Sequence, residues 1–195
     1  EYIAQLMEYE KKFLIIGNIA SASCQGIFPL IMGNKIWLGP SISSGDRKFN
    51  VPDDYPLNAA GCGIDSNGRK YIKVKGVRWF TNLDHKKRHE DLDLVCRFSS
   101  EDYPKYDNYY AIDVGKTADI PFDYNELMGV PITFLDKYNP EQFEIVGMTS
   151  NDVSLEKYWV KGFKKHDRPY LNGERKFPRL LIIKKRKNND DNKAN

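Results

Sequence analysis

Cysteine is scarce in this 195-residue chain: Cys24, Cys62 and Cys96 lie more than thirty residues apart. That spacing excludes a compact zinc module, and an odd count argues against a secreted disulfide framework. The expected setting is reduced and cytoplasmic. Long hydrophobic runs are also missing. Phe13-Leu-Ile-Ile16 and Leu180-Leu-Ile-Ile183 are the longest, far short of the ~20 apolar residues that span a bilayer. No charged stretch leading into an apolar one opens the sequence, so no secretory signal is read. Internal repeats are absent too.

A large charge of one sign is equally lacking, since the net charge is only +3. Its distribution is uneven, however. Counting Lys and Arg against Asp and Glu, residues 69–97 carry 9 and 4, residues 98–156 carry 3 and 12, and residues 157–187 carry 12 and 2. Two basic stretches flank an acidic one. Basic surface attracts phosphates through counterion release, and acidic surface steers a bound duplex away from itself. The plainer alternative is that these cations solvate strand edges.

The hydrophobic pattern predicts an α/β protein. Tyr2, Ile3, Leu6 and Met7 recur at helical spacing with no N-cap before them, as expected of a piece cut from a longer protein. Lys12-Phe-Leu-Ile-Ile-Gly17 has the pattern of a buried parallel strand. Ser21 and Ser23 offer caps for a helix through Ile27, Leu30 and Ile31, which Gly33-Asn34 stops. Lys35-Ile-Trp-Leu-Gly39 follows as another strand. After Pro40, residues 41–45 and 59–68 read as loops. Lys70-Tyr-Ile-Lys-Val-Lys75 alternates as a half-exposed strand, Gly76 breaks it, and Val77-Arg-Trp-Phe-Thr81 resumes. Residues 101–140 are irregular; Phe143-Glu-Ile-Val146 and Arg179-Leu-Leu-Ile-Ile183 are further strands. Residues 188–195 are a disordered tail by composition.

Several segments together resemble the EcoRI-type adenine-specific DNA methyltransferase family: Lys35-Ile-Trp-Leu-Gly39, Phe49-Asn-Val-Pro-Asp53, Gly76-Val-Arg-Trp-Phe-Thr-Asn-Leu-Asp-His-Lys-Lys-Arg88, Tyr103-Pro-Lys-Tyr-Asp-Asn108 and, most distinctively, the stretch from Met128-Gly-Val-Pro-Ile-Thr-Phe-Leu to Gly147. The likeness runs from residue 1 to about 185. It implies a Rossmann-like fold, S-adenosylmethionine as cofactor, methyl transfer to N6 of adenine in double-stranded DNA, and a restriction-modification setting. The family's glycine-rich cofactor motif and its Asn/Asp-Pro-Pro-aromatic catalytic motif are expected N-terminal to Glu1. No Pro-Pro occurs in the sequence and no Gly-x-Gly follows a strand at the required place, so no catalytic residue is assigned here and the isolated chain is expected to be inactive. The expected organisation is a partial Rossmann-like methyltransferase sheet over residues 1–83, a mostly β target-recognition region over 84–187, and the tail over 188–195. With the first strands of that sheet missing, exposed edges at 13–16 and 36–38 predict self-association.

Arg78-Trp-Phe-Thr-Asn82 leads the candidate site residues. On a strand Trp79 and Phe80 face opposite sides, so one ring faces the core and the other a cleft or solvent, unless both pack inside. In related amino-methyltransferases a late aromatic residue stacks on the flipped adenine, and this resemblance makes Trp79, Phe80 and Asn82 the candidates for the adenine pocket. His85, Lys86, Lys87 and Arg88, with Arg78 just upstream, are DNA-binding candidates; the alternative is a solvated charge run at a strand exit. His85 and His89 stand four apart, as helical metal ligands do, but no third ligand accompanies them and no metal is expected. Lys161, Lys164 and Lys165 lie among Tyr158, Trp159 and Arg168, a mixture of cations and aromatics typical of DNA-contacting segments; a basic loop packing two core rings is the alternative. The carboxylates and tyrosines around Tyr106, Tyr109, Tyr110 and Asp113 read as chance neighbours. Glu174-Arg175-Lys176 is a Glu-x-Lys triplet of the kind metal-dependent nucleases use. It supports a rival reading, a nuclease or a DNA-binding module without enzyme activity, although Asp167 is too near in sequence for the usual geometry.

Overall fold

The computed structural model describes residues 2–42, 46–58, 60–150 and 153–186; the tail expected over 188–195 lies outside them. Two short helices come first, α1 (Tyr2–Glu8) and α2 (Phe28–Met32), with strand β1 (Leu14–Asn18) between them. Then follow β2 (Trp37–Leu38), β3 (Arg47–Asn50), β4 (Cys62–Ile64), β5 (Lys70–Val74) and β6 (Val77–Thr81). The C-terminal half holds β7 (Ile112–Asp113), β8 (Met128–Val130), β9 (Phe143–Met148), β10 (Tyr170–Leu171), β11 (Glu174–Arg175) and β12 (Leu180–Lys184), linked by 3-10 turns. The protein is therefore mixed α/β, with several small sheets and little helix.

The first sheet has the order β1-β6-β2, and β6 is antiparallel to both neighbours. The buried parallel strand expected over 12–17 is thus corrected. Gly76, at φ +66°, lets the chain reverse after β5, and β6 returns between β1 and β2. Leu14 and Ile16 on β1 remain 52% and 45% exposed, while Ile15 and Gly17 face Phe80 and Arg78 across the ladder. The serine caps expected for the next helix are corrected as well. Asn18 caps the 3-10 turn Ile19–Ser23 through its side chain, which accepts from Ala20 N–H at 2.9 Å. Pro29 then starts α2 in its first turn, where a missing N–H costs nothing.

The second sheet, β3-β5-β4, is an antiparallel outlier. The third has the order β7-β8-β12-β9. Its strand β12 explains the apolar run Leu180-Leu-Ile-Ile183, because both faces are covered. Leu180 and Ile182 enter the larger core with Phe13, Ile36, Phe80, Met128 and Phe143. Leu181 points the other way, into a smaller core of Tyr106, Tyr109, Ala111, Leu127 and Leu155. Residues on both sides of position 83 share the larger core. The smaller core sits beneath the basic segment 157–176.

Candidate functional site

The basic segment is built from inside outward. Asn108 and Tyr109 are fully buried. The Asn108 side-chain amide donates to Lys165 O at 2.9 Å and Arg168 O at 2.7 Å, and its Oδ1 accepts from Tyr170 N–H at 2.9 Å. The Tyr109 hydroxyl donates to His166 O at 2.6 Å. Three loop carbonyls are thus turned inward and satisfied, which leaves the Lys164 and Lys165 side chains outside. Below them the His166 ring stacks on Trp159, 4.1 Å apart and 9° from parallel, and meets Tyr109 edge-on. Burial pushes the His166 pKa below its ordinary 6.5, so this ring is neutral at pH 7 and packs rather than binds anions. Trp159 is thus a packed ring, and the lysines lie outside it. Lys161, Lys164 and Lys165 are exposed, and among the described residues none of them joins a salt bridge.

Neighbouring cations are differently employed. Arg175 pairs with Asp167 and Lys176 with Glu174 at 2.7 Å. Arg179 donates to Asp113 at 3.2 Å, and Asp113 also accepts from the buried Tyr106 hydroxyl at 2.5 Å. The Glu-x-Lys triplet is therefore closed on itself: Lys176 holds the Glu174 carboxyl below its usual range, and Asp167 is occupied by Arg175. Among the described residues no cluster of three or more His, Cys, Asp or Glu is placed to hold a metal ion.

The first basic stretch is divided by burial. Arg78 is 3% exposed and donates two bonds to Asp136, at 2.5 and 2.8 Å, so it ties β6 to the 3-10 turn Ile132–Lys137 and cannot reach a phosphate. Phe80 is 2% exposed with its ring against Gly17; this corrects its candidacy as a stacking ring. Asn82 is spent on the backbone, accepting from Phe13 N–H at 3.0 Å and donating to Lys11 O at 2.8 Å. Of the two candidate rings, Trp79 is the partly open one. It lies on the outer face of β6 opposite Ile16, and a side chain at Gly39 would meet its Cβ at 2.9 Å.

Beyond β6 the 3-10 turn Lys86–His89 folds back over β2. Arg88 lies 3.6 Å from the Trp37 ring centre and also contacts Asn34 and Asp84. His85 has one ring nitrogen 3.0 Å from Leu38 O, while its Nδ1 and Arg88 Nε are buried without partners. Trp37, Pro40, Leu135 and Tyr138 complete a narrow cleft here. Lys86 is exposed and Lys87 half-buried, its Nζ 3.4 Å from Pro40 O. His89 bonds Asp84 at 2.8 Å and Glu141 at 3.3 Å, and these carboxylates raise its pKa above 6.5. Of the basic run, Arg88 is thus held on Trp37, while the Lys86 side chain stands in solvent. Asn108, Trp37 and Asp136 escaped sequence reasoning. Asn108 sits in a Tyr- and Asp-rich stretch where only the fold distinguishes a loop anchor from a surface polar residue.

Comparison with known proteins gives a consistent set of relatives. The family model described as adenine-specific methyltransferase EcoRI matches residues 1–186. Type II methyltransferase M.EcoRI of Escherichia coli is 45% identical over 192 residues, covering 95% of this chain and 54% of that protein. Type II methyltransferase M.MgeORF184P of Mycoplasma genitalium is 36% identical, with coverages of 94% and 60%. M.MpnI of Mycoplasma pneumoniae is 31% identical, with coverages of 96% and 61%. The chain spans between half and two thirds of the length of these relatives. No solved structure matches it.

Proposed function

The chain belongs to the EcoRI adenine-specific methyltransferase family, and on that premise we propose that it is the DNA-engaging part of a type II modification enzyme. The reaction is transfer of a methyl group from S-adenosylmethionine to N6 of adenine in double-stranded DNA. The observation that carries the chain's own role is the pinned loop presenting Lys161, Lys164 and Lys165, none of which is paired with a carboxylate among the described residues. Unneutralised cations on an ordered loop take phosphates without the backbone reorganising, and the counterions they release supply sequence-independent affinity. Lys86 and Lys87 extend the phosphate contacts.

In this reading residues 1–83 close a Rossmann-like sheet. Strands β1 and β2 run parallel to each other with β6 reversed between them, and β1 offers an edge on which Leu14 and Ile16 are uncovered. Further strands of the intact protein join there, bringing the cofactor site and the catalytic carboxamide or carboxylate. The isolated chain is then inactive and associates with itself through the same edge. Residues 84–187 supply target recognition, and Trp79 is the one aromatic candidate left for a wall of the adenine pocket. The enzyme acts in the cytoplasm, where host DNA and cofactor meet.

Incubating the intact protein with duplex DNA and S-adenosylmethionine, then digesting to nucleosides, is expected to give N6-methyladenine by mass spectrometry. Methylcytosine instead, or DNA cleaved on adding Mg²⁺, would overturn the proposal in favour of another modification chemistry or a nuclease.

A further inference from the structure

The most basic part of the molecule contains one conspicuously uncovered apolar ring. Phe177 is 77% exposed, within Arg175-Lys-Phe-Pro-Arg179. A single exposed apolar residue means little by itself. Here, however, both flanks are tied down. On one side Lys176 N–H donates to Pro169 O at 2.8 Å and Arg175 pairs with Asp167, which fastens the segment to the loop that carries Lys164 and Lys165. On the other side Arg179 N–H donates to Thr149 Oγ1 at 2.8 Å, Thr149 N–H donates to Arg179 O at 2.9 Å, and the Arg179 guanidinium reaches Asp113. Pro178 holds the preceding residue extended. The ring is therefore held out into solvent by fixed neighbours and not left there by a slack loop.

We propose that Phe177 is an apolar wedge that enters the base stack of duplex DNA while the loop 161–168 grips the adjoining phosphates. The proposal rests on the DNA-binding reading above and adds the residue that disturbs the stack. Phosphate contacts alone leave stacking intact, whereas chemistry on a base requires it to leave the helix. An inserted apolar side chain lowers that cost by covering the faces of the bases that remain, and it kinks the duplex as it does so. An aromatic face suits this role because every base offers a π-surface. Charge decides the occupant. Arg175, Lys176 and Arg179 beside Phe177 are held by Asp167, Glu174 and Asp113. The charge presented to a partner is therefore that of exposed Lys161, Lys164 and Lys165 on the loop to which the segment is fastened, and these complement a polyanion and would oppose an apolar protein partner.

The test uses the chain, a mixed-sequence duplex of about twenty base pairs, and four proteins: wild type, Phe177→Ala, Phe177→Trp and, as an equally exposed control, Val95→Ala (Val95 is 79% exposed). Phe177→Ala is expected to weaken binding about 5- to 150-fold, the range of one lost aromatic–base stack, with the slope of log affinity against log salt unchanged. Phe177→Trp is expected to bind as wild type, with its added fluorescence quenched at saturation, and Val95→Ala to bind as wild type. Circular dichroism should show all four equally folded, because both substituted side chains lie in solvent. Binding by Phe177→Ala within twofold of wild type, or an unquenched Phe177→Trp, would overturn the wedge and leave the DNA-binding reading standing. No binding by wild type would sink both. A change in self-association with DNA affinity intact would assign the ring to a second copy and also overturn the wedge.

Discussion

Asn108→Ala removes one side chain and three hydrogen bonds, to Lys165 O, Arg168 O and Tyr170 N–H. A net intramolecular hydrogen bond contributes about 0.5–1.5 kcal/mol, and a buried partner left unpaired costs more. The full sum of about 1.5–4.5 kcal/mol is not all lost, because the two carbonyls belong to an exposed loop and regain water when it lifts. A local destabilisation of about 2–3 kcal/mol remains, or about 30- to 150-fold more frequent opening at tenfold per 1.4 kcal/mol. The opening is local, since β12 is held by other contacts in both cores. Hydrogen exchange measures it directly. The Lys176 amide, bonded to Pro169 O, should exchange about 30- to 150-fold faster in the variant, while the Leu181 amide keeps its protection. Affinity for duplex DNA should fall because the lysines are no longer presented together. Asn108→Asp tests the same idea differently. It keeps the acceptor for Tyr170 but turns a carboxylate toward two carbonyl oxygens, so it should be at least as damaging. Unchanged Lys176 exchange in Asn108→Ala would refute the claim that this side chain holds the loop.

Other expectations follow from the same geometry. Changing Lys161, Lys164 and Lys165 together to Ala should flatten the salt dependence of DNA affinity by about 2–3 units, at roughly 0.9 per phosphate contact, with no loss of melting temperature. Arg78→Ala should cost about 3–5 kcal/mol in chemical denaturation, since it strands Asp136 at 7% side-chain exposure without its partner; Arg78→Met with Asp136→Leu should recover most of that. NMR titration should give His89 a midpoint above 6.5, through its hydrogen bonds to Asp84 and Glu141, and His166 a midpoint below 6.5, through burial. By linkage, His89 steadies the turn fully below pH 6.5 and loses that contribution as pH rises through its raised midpoint. Asp84, depressed below 3.8 chiefly by His89, contributes above 3.8 and loses its part as pH falls through its lowered midpoint. Sedimentation of the chain should show association that Leu14→Lys with Ile16→Lys abolishes.

Much of the fold could be read locally. The alternation of Lys70-Tyr-Ile-Lys-Val-Lys75, the break at Gly76 and the strand at Val77 are short-range signals and form as read. The continuous apolar run of β12 also forms as a strand. Pairing partners are long-range, and the reading failed there. Leu14 and Ile16 look like interior residues, yet antiparallel β6 leaves their face open, because an apolar run says that a strand exists and not which strand lies beside it. The site divides in the same way. Cation clusters show in composition, but whether Arg78 faces solvent depends on Asp136, 58 residues away. Asn108 carries no sequence mark at all, because its role is defined by carbonyls 57 and 60 residues distant.

On the proposed DNA-binding reading, the twelve Lys and Arg of residues 157–187 therefore overstate the surface available to phosphates. Arg175, Lys176 and Arg179 face carboxylates. Lys184 and Lys185 donate to Phe122 O and Pro140 O, Lys157 lies 4.8 Å from the Tyr158 ring centre, and Lys187 lies outside the described residues. That leaves Lys161, Lys164 and Lys165 on the pinned loop, with Arg168 half-buried among them and Arg186 at the far end of β12. Twelve phosphate contacts would give a salt slope near −11, five give about −4.5 and the loop lysines alone about −2.7. The paired cations serve another purpose. By pairing with Asp167, Glu174 and Asp113 they neutralise those carboxylates and fasten the segment around Phe177. On that reading the backbone carrying the remaining lysines is already ordered by Asn108 and Tyr109, so binding has only their side chains left to order.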